Sequence, residues 1–268
     1  MDTSIFTKDG KYLMLALDHR GSFKKFVSKN PESVSDEEII KTKQLIIEAL
    51  ENQFSGVLID PDWGLKAYKS KNKPFLLCLE KSGYVENGGD RTTELQYTAK
   101  QLADWGADGT KLLLYLNPEA ENCDKQIETA KQAVADSHQN NLPIFLEIVT
   151  YGNEELGKSR SEWVLRSLKM CIDEGVTPDV WKMEYPGDRE SCRKISELTG
   201  RTPWILLTRG ENFDKFDQQL KEAVFGGAVG FLAGRALWQE VVNYKNEERR
   251  AFLKNVVAMR FKEISEIV

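Results

Sequence analysis

Two lysines and a glutamate stand inside short apolar segments, where a charged side chain is costly to bury. Lys111 and Lys182 are each flanked by apolar residues on the carboxyl side, and Glu147 lies between Leu146 and Ile148. A neutral amine can attack a carbonyl group to form a Schiff base, and a neighbouring carboxylate can carry the protons of that reaction. These residue types therefore predict Schiff-base chemistry at Lys182, with Glu147 as the proton shuttle.

Whether these groups can meet depends on the alternation of side chains along a strand. Lys182 and Glu184 share one face of their segment, because alternate residues of a strand point to the same side. Neighbouring strands are roughly 4.8 Å apart, so Lys111, Glu147 and Lys182 can lie close together. A nearby cation or burial lowers the pKa of an amine. Each residue alone also fits a structural role, as a lysine at a strand edge or an ion-paired carboxylate, and their convergence favours catalysis.

The scaffold implied by the chain alternates short apolar runs with helical stretches. The predicted strands are Leu13–Asp18, Gly56–Asp60, Phe75–Glu80, Thr110–Leu116, Ile144–Thr150, Val180–Tyr185, Trp204–Thr208 and Val229–Ala233. The predicted helices are Ser35–Asn52, Thr93–Trp105, Ala120–Gln139, Ser159–Glu174, Arg189–Thr199, Phe213–Phe225 and Asn246–Glu266. Such alternation is typical of an α/β protein with a (β/α)8 (TIM) barrel, and residues 1–268 are expected to form a single domain. An open doubly wound sheet is the alternative, but its glycine fingerprint does not follow the first strand.

Polar residues at the carboxyl ends of the predicted strands are the next candidates, since barrel active sites lie there. Asp18 and His19 follow the first strand, and Asp60 follows the second, where it could instead be a turn residue beside Pro61. Two further groups end the last two strands: Thr208, Arg209 and Gly210, and then Gly234 and Arg235. A glycine turn beside a helix start binds anions through backbone N–H groups. A phosphorylated substrate with a carbonyl group is therefore expected.

Composition narrows the class of protein. The net charge of −5 and the 41% apolar content argue against nucleic-acid binding and are ordinary for a globular protein. Neither a signal segment nor an apolar run long enough to cross a membrane is present, so a cytoplasmic enzyme is expected. The four cysteines have no paired spacing and there are only two histidines, which predicts reduced thiols, no metal site and no cofactor.

Five strings of residues resemble the class I tagatose-1,6-bisphosphate aldolase family, which includes members similar to sulfofructosephosphate aldolase. They span nearly the whole chain: Leu15–Ser22, Lys111–Tyr115, Leu146–Tyr151, Trp181–Glu184 and Gly230–Ala236. The resemblance implies a metal-independent lyase on a (β/α)8 barrel that releases dihydroxyacetone phosphate and an aldehyde. It further implies a small-molecule sugar phosphate as the ligand and a homo-oligomer as a possible assembly, with neither nucleic acid nor a membrane as a partner.

The resemblance also implies roles for individual residues. Lys182 would form the Schiff base and Glu147 would transfer protons, while Asp18 and Lys111 would bind substrate or tune the amine. Gly210, Gly234 and Arg235 would hold the phosphate of the dihydroxyacetone phosphate half.

The sequence departs from the family pattern in three ways, of which one is that the chain is shorter than typical tagatose-bisphosphate aldolases, and the other two concern single residues. His19 stands where many members have glutamine, and Arg209 stands where small residues are usual. These departures leave the aldehyde half of the substrate open.

Three other functions compete with this assignment. The string Asp18-His19-Arg20 also resembles aldolases that cleave 2-deoxy-5-keto-gluconate 6-phosphate in inositol breakdown. A barrel that only binds sugar phosphates would keep the scaffold without turnover. A metal-dependent barrel enzyme would use Asp18, Asp60 and Asp62 as oxygen ligands.

Overall fold

The computed structural model describes residues 1–27 and 33–268, and its centre is a closed barrel of eight parallel strands. Ten strands are described, eight in the barrel and two outside it: β1 (Tyr12–Leu17), β2 (Gly56–Ile59), β3 (Phe75–Cys78), β4 (Val85–Asn87), β5 (Asp90–Thr92), β6 (Gly109–Leu116), β7 (Ile144–Thr150), β8 (Val180–Met183), β9 (Trp204–Leu207) and β10 (Gly230–Ala233). The barrel order is β1-β10-β9-β8-β7-β6-β3-β2, while β4 and β5 form a separate antiparallel hairpin. The predicted (β/α)8 barrel is confirmed.

Helices follow the barrel strands along the chain and cover the outside of the barrel. They are α1 (Gly21–Val27), α2 (Asp36–Leu50), α3 (Gly64–Ala67), α4 (Ala99–Asp104), α5 (Cys123–Gln139), α6 (Arg160–Asp173), α7 (Arg189–Thr199), α8 (Phe213–Phe225), α9 (Arg235–Trp238), α10 (Asn246–Phe252) and α11 (Ala258–Ile267). Several start at the expected caps, as where the Ser35 hydroxyl accepts a hydrogen bond from the Glu38 N–H before α2. In the part of the chain that is described, no helix is long and apolar enough to cross a membrane.

Two helix predictions need correction. The stretch predicted as one helix, Thr93–Trp105, becomes helical only at Ala99, where Thr98 and Gln101 form a reciprocal capping box. Before it, β4 and β5 turn through Gly88 and Gly89, both at positive φ, and Leu95 then forms an isolated bridge with Glu80. The predicted final helix Asn246–Glu266 is divided by a π-helical turn into α10 and α11.

The inside of the barrel is divided into an apolar lower layer and a polar upper layer. Phe6, Phe145, Val180, Ile205 and other buried apolar residues fill the lower layer. Side chains two positions further along a strand point to the same side, so Glu147 lies above Phe145, and Lys182 above Val180. The apolar layer closes the barrel from below and removes water from under the charged groups, which strengthens their mutual attraction.

Candidate active site

Lys182 and Glu147 face each other on neighbouring strands at the upper end of the barrel. They are register partners of β8 and β7, and Lys182 Nζ donates a hydrogen bond of 2.8 Å to Glu147 Oε2. Lys111 Nζ of β6 lies 3.0 Å from the same oxygen. Both lysines are almost completely buried. The structure therefore brings together the three residues that the sequence singles out.

Lys111 is surrounded by carboxylates. Its Nζ lies 3.1 Å from Asp18 Oδ2 and 2.5 Å from Glu80 Oε1, in addition to its contact with Glu147. Glu80 is fixed by a second bond, from the Leu113 N–H to its Oε2 at 3.1 Å. These five residues form the lysine cluster: Asp18, Glu80, Lys111, Glu147 and Lys182.

The pKa values of the cluster follow from these contacts. Burial by itself lowers the pKa of Lys111, but the three carboxylates outweigh it and hold that pKa well above the usual value. Burial raises the pKa of Glu147, but Lys111 and Lys182 outweigh it and the net pKa is lowered. The pKa of Asp18 is lowered in the same way, chiefly by Lys111 against burial. At neutral pH, Lys111 is therefore a cation and the carboxyl groups of Asp18 and Glu147 are ionised.

A glycine turn and an arginine form a cradle beside the cluster, at the ends of β9 and β10. Gly210 has φ +78°, and a side chain there would collide with the Arg235 guanidinium at 2.8–3.1 Å. A Cβ at Gly234 would lie 3.1 Å from the His19 ring and 3.2 Å from the Ala16 carbonyl oxygen. Within the described residues, the buried Arg235 Nε has no hydrogen-bond partner. Close backbone approach and an uncommitted donor suit an anion.

His19 borders this cradle and is neutral. Burial lowers its pKa to about 4, with Arg235 among the cations that add to the effect against the attraction of Asp18. Its ring packs edge-on against Trp238 at 5.2 Å, and its Nδ1 lies 3.8 Å from Asp18 Oδ1. That nitrogen is buried without a hydrogen-bond partner among the described residues. His19 therefore presents an uncharged polar edge to the cavity.

Arg209 lies in the turn after β9, with its side chain directed to the ends of β7 and β8. Its NH1 pairs with Glu184 and its NH2 donates to the Thr150 carbonyl oxygen at 2.8 Å. Glu184 is fully buried and also accepts from the Thr150 N–H at 2.9 Å. Arg160 NH1, from the start of α6, lies 3.9 Å from Glu184. Glu184, Arg209 and Arg160 are called the arginine cluster below.

Asp60 lies apart from the other predicted site residues. Its carboxylate is fully buried and pairs with Lys43 of α2. It also accepts hydrogen bonds from the N–H groups of Trp63 at 2.8 Å and Gly64 at 3.2 Å. Lys43 in turn donates to the carbonyl oxygens of residues 17 and 19 at 2.9 and 2.8 Å. Asp60 therefore ties α2 and the turn after β2 to the end of β1.

A cavity of about 510 Å³ opens at the carboxyl ends of the barrel strands and joins the predicted groups. Nine of the eleven predicted site residues line it: Asp18, His19, Lys111, Glu147, Lys182, Thr208, Arg209, Gly234 and Arg235. Asp60 and Gly210 do not border it. Glu80 also lines the cavity, and its position after β3 was the sequence signal that could have selected it. Arg160 gave no such signal, because its approach to Glu184 depends on how α6 packs.

Asp18, Asp60 and Asp62, the ligands of the metal-dependent alternative, do not meet. Asp60 is occupied by Lys43 and backbone N–H groups, and Asp62 lies 3.9 Å from Arg20. Across residues 1–27 and 33–268, no three histidine, cysteine or acidic side chains are grouped as metal ligands.

Comparison with known proteins decides the family. A model of the DeoC/LacD family aldolases matches residues 12–240, which include every strand of the barrel. The chain belongs to the DeoC/LacD aldolase family. Two similar relatives are the tagatose 1,6-diphosphate aldolases of Staphylococcus aureus strains MW2 and JH9. Each is 29% identical over 274 residues, covering 90% of this chain and 84% of the relative.

Solved aldolase structures have the same barrel as this member of the DeoC/LacD family. A Schiff base-forming fructose-1,6-bisphosphate aldolase superposes with a TM-score of 0.69 at 20% identity, over 95% of this chain and 96% of that one. The fructose-bisphosphate aldolase of Slackia heliotrinireducens gives a TM-score of 0.67 at 16% identity, over 96% and 84%. At these identities, the likeness establishes the fold alone.

Proposed function

We propose that this family member is a class I aldolase that cleaves a phosphorylated ketose to dihydroxyacetone phosphate and an aldehyde. The observation that carries the proposal is the 2.8 Å contact between Lys182 Nζ and Glu147 Oε2, inside a cavity whose other wall is an anion cradle. The names of the tagatose- and fructose-bisphosphate aldolases that it resembles support the same reaction class.

The first half of the reaction attaches the ketose to Lys182. Lys182 first gives one proton to Glu147, and the neutral Nζ then adds to the carbonyl carbon while Glu147 returns that proton to the carbonyl oxygen, which becomes a hydroxyl group. Glu147 next removes the surplus proton from the nitrogen and donates it to the hydroxyl group, which leaves as water, so that an iminium ion remains on Lys182 and Glu147 is again a carboxylate. Glu147 is within hydrogen-bond distance of the reacting nitrogen, as such a transfer requires.

The second half breaks the carbon–carbon bond. Glu147 removes the proton of the hydroxyl group next to the scissile bond, that oxygen becomes the aldehyde, and the bonding electrons enter the iminium to give an enamine. Protonation of the enamine carbon and hydrolysis then release dihydroxyacetone phosphate and restore the amine. Lys111 assists because it keeps the pKa of Glu147 low, so that the resting carboxylate can accept the proton.

The cradle fixes the phosphate of the ketone half. Arg235 supplies charge, the turn at Gly210 and Gly234 permits close backbone approach, and Thr208 borders the same cavity. None of these steps uses a metal ion.

A cleavage panel tests the proposal. Tagatose and fructose 1,6-bisphosphates, sulfofructose 1-phosphate and 2-deoxy-5-keto-gluconate 6-phosphate are each incubated with enzyme in EDTA, and triose phosphate release is measured. At least one of the first three should be cleaved at an unchanged rate in EDTA. Lys182→Met should be inactive, while Lys169→Met, which removes an exposed lysine of α6, should not. Activity that disappears in EDTA, or survives in Lys182→Met, would refute the proposal.

A further inference from the structure

The arginine cluster holds more positive charge than its own residues neutralise. One carboxylate, Glu184, serves two guanidinium groups, those of Arg209 and Arg160. Half of that carboxylate is also occupied by the backbone and hydroxyl of Thr150. Burial and the charge of Arg160 together lower the pKa of Arg209 to about 10, and the more distant carboxylates of Glu211 and Glu154 offset only part of this effect. A cation under this repulsion is stabilised by an added negative charge.

Arg209 has further N–H donors that bond to no described residue, and its side chain borders the cavity. A guanidinium group has five N–H donors, and two bonds, to Glu184 and to the Thr150 carbonyl, fix its plane. Its side chain is 27% exposed and borders the same cavity as Lys182. The backbone at Arg209 has φ +46°, a left-handed conformation uncommon for a residue with a side chain. The turn and the two hydrogen bonds thus hold the Arg209 guanidinium group in one orientation at the edge of the cavity.

The residues that anchor Arg209 lie one layer above the reacting groups of Lys182 and Glu147. Glu184 follows Lys182 by two residues on β8 and its extension, and Thr150 follows Glu147 by three on β7. At roughly 3.3 Å per residue, the Arg209 anchors lie about 7–10 Å along the strands from Lys182 and Glu147. Arg235, in contrast, is on the β10 side of the Gly210 turn, packed toward Phe26. The two guanidinium groups therefore face different parts of the cavity.

We propose that Arg209, oriented by Glu184 and Thr150, binds a tetrahedral oxyanion, a phosphate or sulfonate, at the aldehyde end of the substrate. The inference rests on the proposed aldolase function and adds the residue that selects the aldehyde. Arg235 and the glycine cradle hold one end of the ketose, Lys182 takes the carbonyl carbon, and Arg209 holds the other end. Arg160 adds charge through its position beside Glu184.

Condensation kinetics with Arg209→Met test this role. Dihydroxyacetone phosphate is held constant, and kcat/KM is measured for glyceraldehyde 3-phosphate, for the sulfonate analogue of that triose, and for uncharged glyceraldehyde. The ratio of the charged to the uncharged aldehyde should fall on the order of 100-fold in Arg209→Met, because a charge-assisted bond is lost in the bound state. Arg209→Lys should recover part of the ratio. Whichever charged aldehyde shows the larger loss identifies phosphate or sulfonate as the natural group.

The controls separate this role from its rivals. Arg166→Met removes a surface arginine of α6 outside the cavity and should leave the ratio unchanged. Lys25 and Lys81 border the same cavity on its β1 and β3 side, and Lys25→Met or Lys81→Met should change the ratio less than Arg209→Met. An unchanged ratio in Arg209→Met, or a larger change in either lysine variant, would overturn the inference. The inference would also be overturned if Arg209→Met lowered kcat/KM equally for all three aldehydes and formed less Schiff base with dihydroxyacetone phosphate. That result would place Arg209 in the phosphate site of the ketone half.

The aldolase proposal has its own readout in the same samples. Schiff-base formation between the unsubstituted protein and dihydroxyacetone phosphate is measured without any aldehyde. If no Schiff base forms, the aldolase proposal fails. Normal Schiff-base formation with an unchanged aldehyde ratio refutes only the role of Arg209.

Discussion

Two charged clusters at the mouth of the barrel are built with opposite balance. The lysine cluster has three carboxylates for two ammonium groups, and the arginine cluster has one carboxylate for two guanidinium groups. The first can pass protons among its own members, because acids and bases touch within about 3 Å. The second has no surplus acid and is suited to bind negative charge. We therefore expect the lysine cluster to carry out the reaction and the arginine cluster to select the substrate.

The clusters also differ in how firmly they are held. Lys111 and Lys182 rest on the apolar layer inside the barrel and are almost inaccessible to solvent. Arg209 and Arg160 come from the turn after β9 and the start of α6, and both are partly exposed. Substitutions in the arginine cluster should therefore alter specificity at a smaller cost in folding free energy than substitutions in the lysine cluster.

The largest expected effect is that of Lys111→Met. It leaves Asp18, Glu80 and Glu147 without their shared cation, and breaking a buried ion pair costs about 3–5 kcal/mol of unfolding free energy. Chemical denaturation should show this loss, while Arg209→Met should lose less. An equal loss in both variants would contradict the difference between the clusters.

The next effect is on turnover. Glu147→Gln removes the proton carrier but keeps the shape of the side chain, and kcat should fall by roughly 10²–10³-fold. Stopped and continuous assays of triose release measure the change. Glu128→Gln, on the exposed face of α5, is the matched control and should keep its rate. A fall of less than tenfold in Glu147→Gln would mean that another group carries the proton.

Asp60→Asn tests a residue that lies outside both clusters. The substitution weakens the buried pair with Lys43, and we expect a loss of about 3 kcal/mol in unfolding free energy. The KM of the folded variant should stay within about twofold, since Asp60 does not border the cavity. Denaturation and steady-state kinetics measured on one preparation give both values. A large rise in KM with unchanged stability would instead make Asp60 a substrate ligand.

The smallest effect concerns pH. The pKa of His19 is lowered by burial to about 4 from an unfolded value of 6.5, so the unfolded chain binds the extra proton between these values. Stability should therefore fall as pH decreases from 6.5 toward 4. His19→Gln lacks this titration and should lose roughly 1–2 kcal/mol less than the unsubstituted protein between pH 6.5 and 5. Parallel curves of unfolding free energy against pH would contradict the neutral, buried state of His19.

The sequence predicts the lysine cluster better than the arginine cluster, for a physical reason. Lys111, Glu147 and Lys182 lie within regular strands, where the alternation of side chains and the order of strands determine which groups meet. Arg209 lies in a turn, where alternation gives no direction. Its partners Glu184 and Arg160 are known only once β8 and α6 are packed. The hairpin Val85–Thr92 is not predicted, for a different reason. Its two short strands are exposed or half-buried and have no apolar periodicity.

Asp60 illustrates the same limit. Its place after β2 is typical of a catalytic barrel residue, but its carboxylate is paired with the buried Lys43 of α2. In the sequence, α2 has the pattern of an ordinary amphipathic helix, and nothing distinguishes Lys43 from its other polar residues. A long-range ion pair of this kind is invisible to local patterning.

Trapping of the covalent intermediate tests the central claim most directly. The protein is incubated with dihydroxyacetone phosphate and sodium borohydride, and the digested peptides are analysed by mass spectrometry. We expect one reduced adduct, on Lys182, with Lys111 unmodified because its three carboxylates keep it charged. An adduct on Lys111, or none at all while the protein still cleaves its substrate, would contradict it.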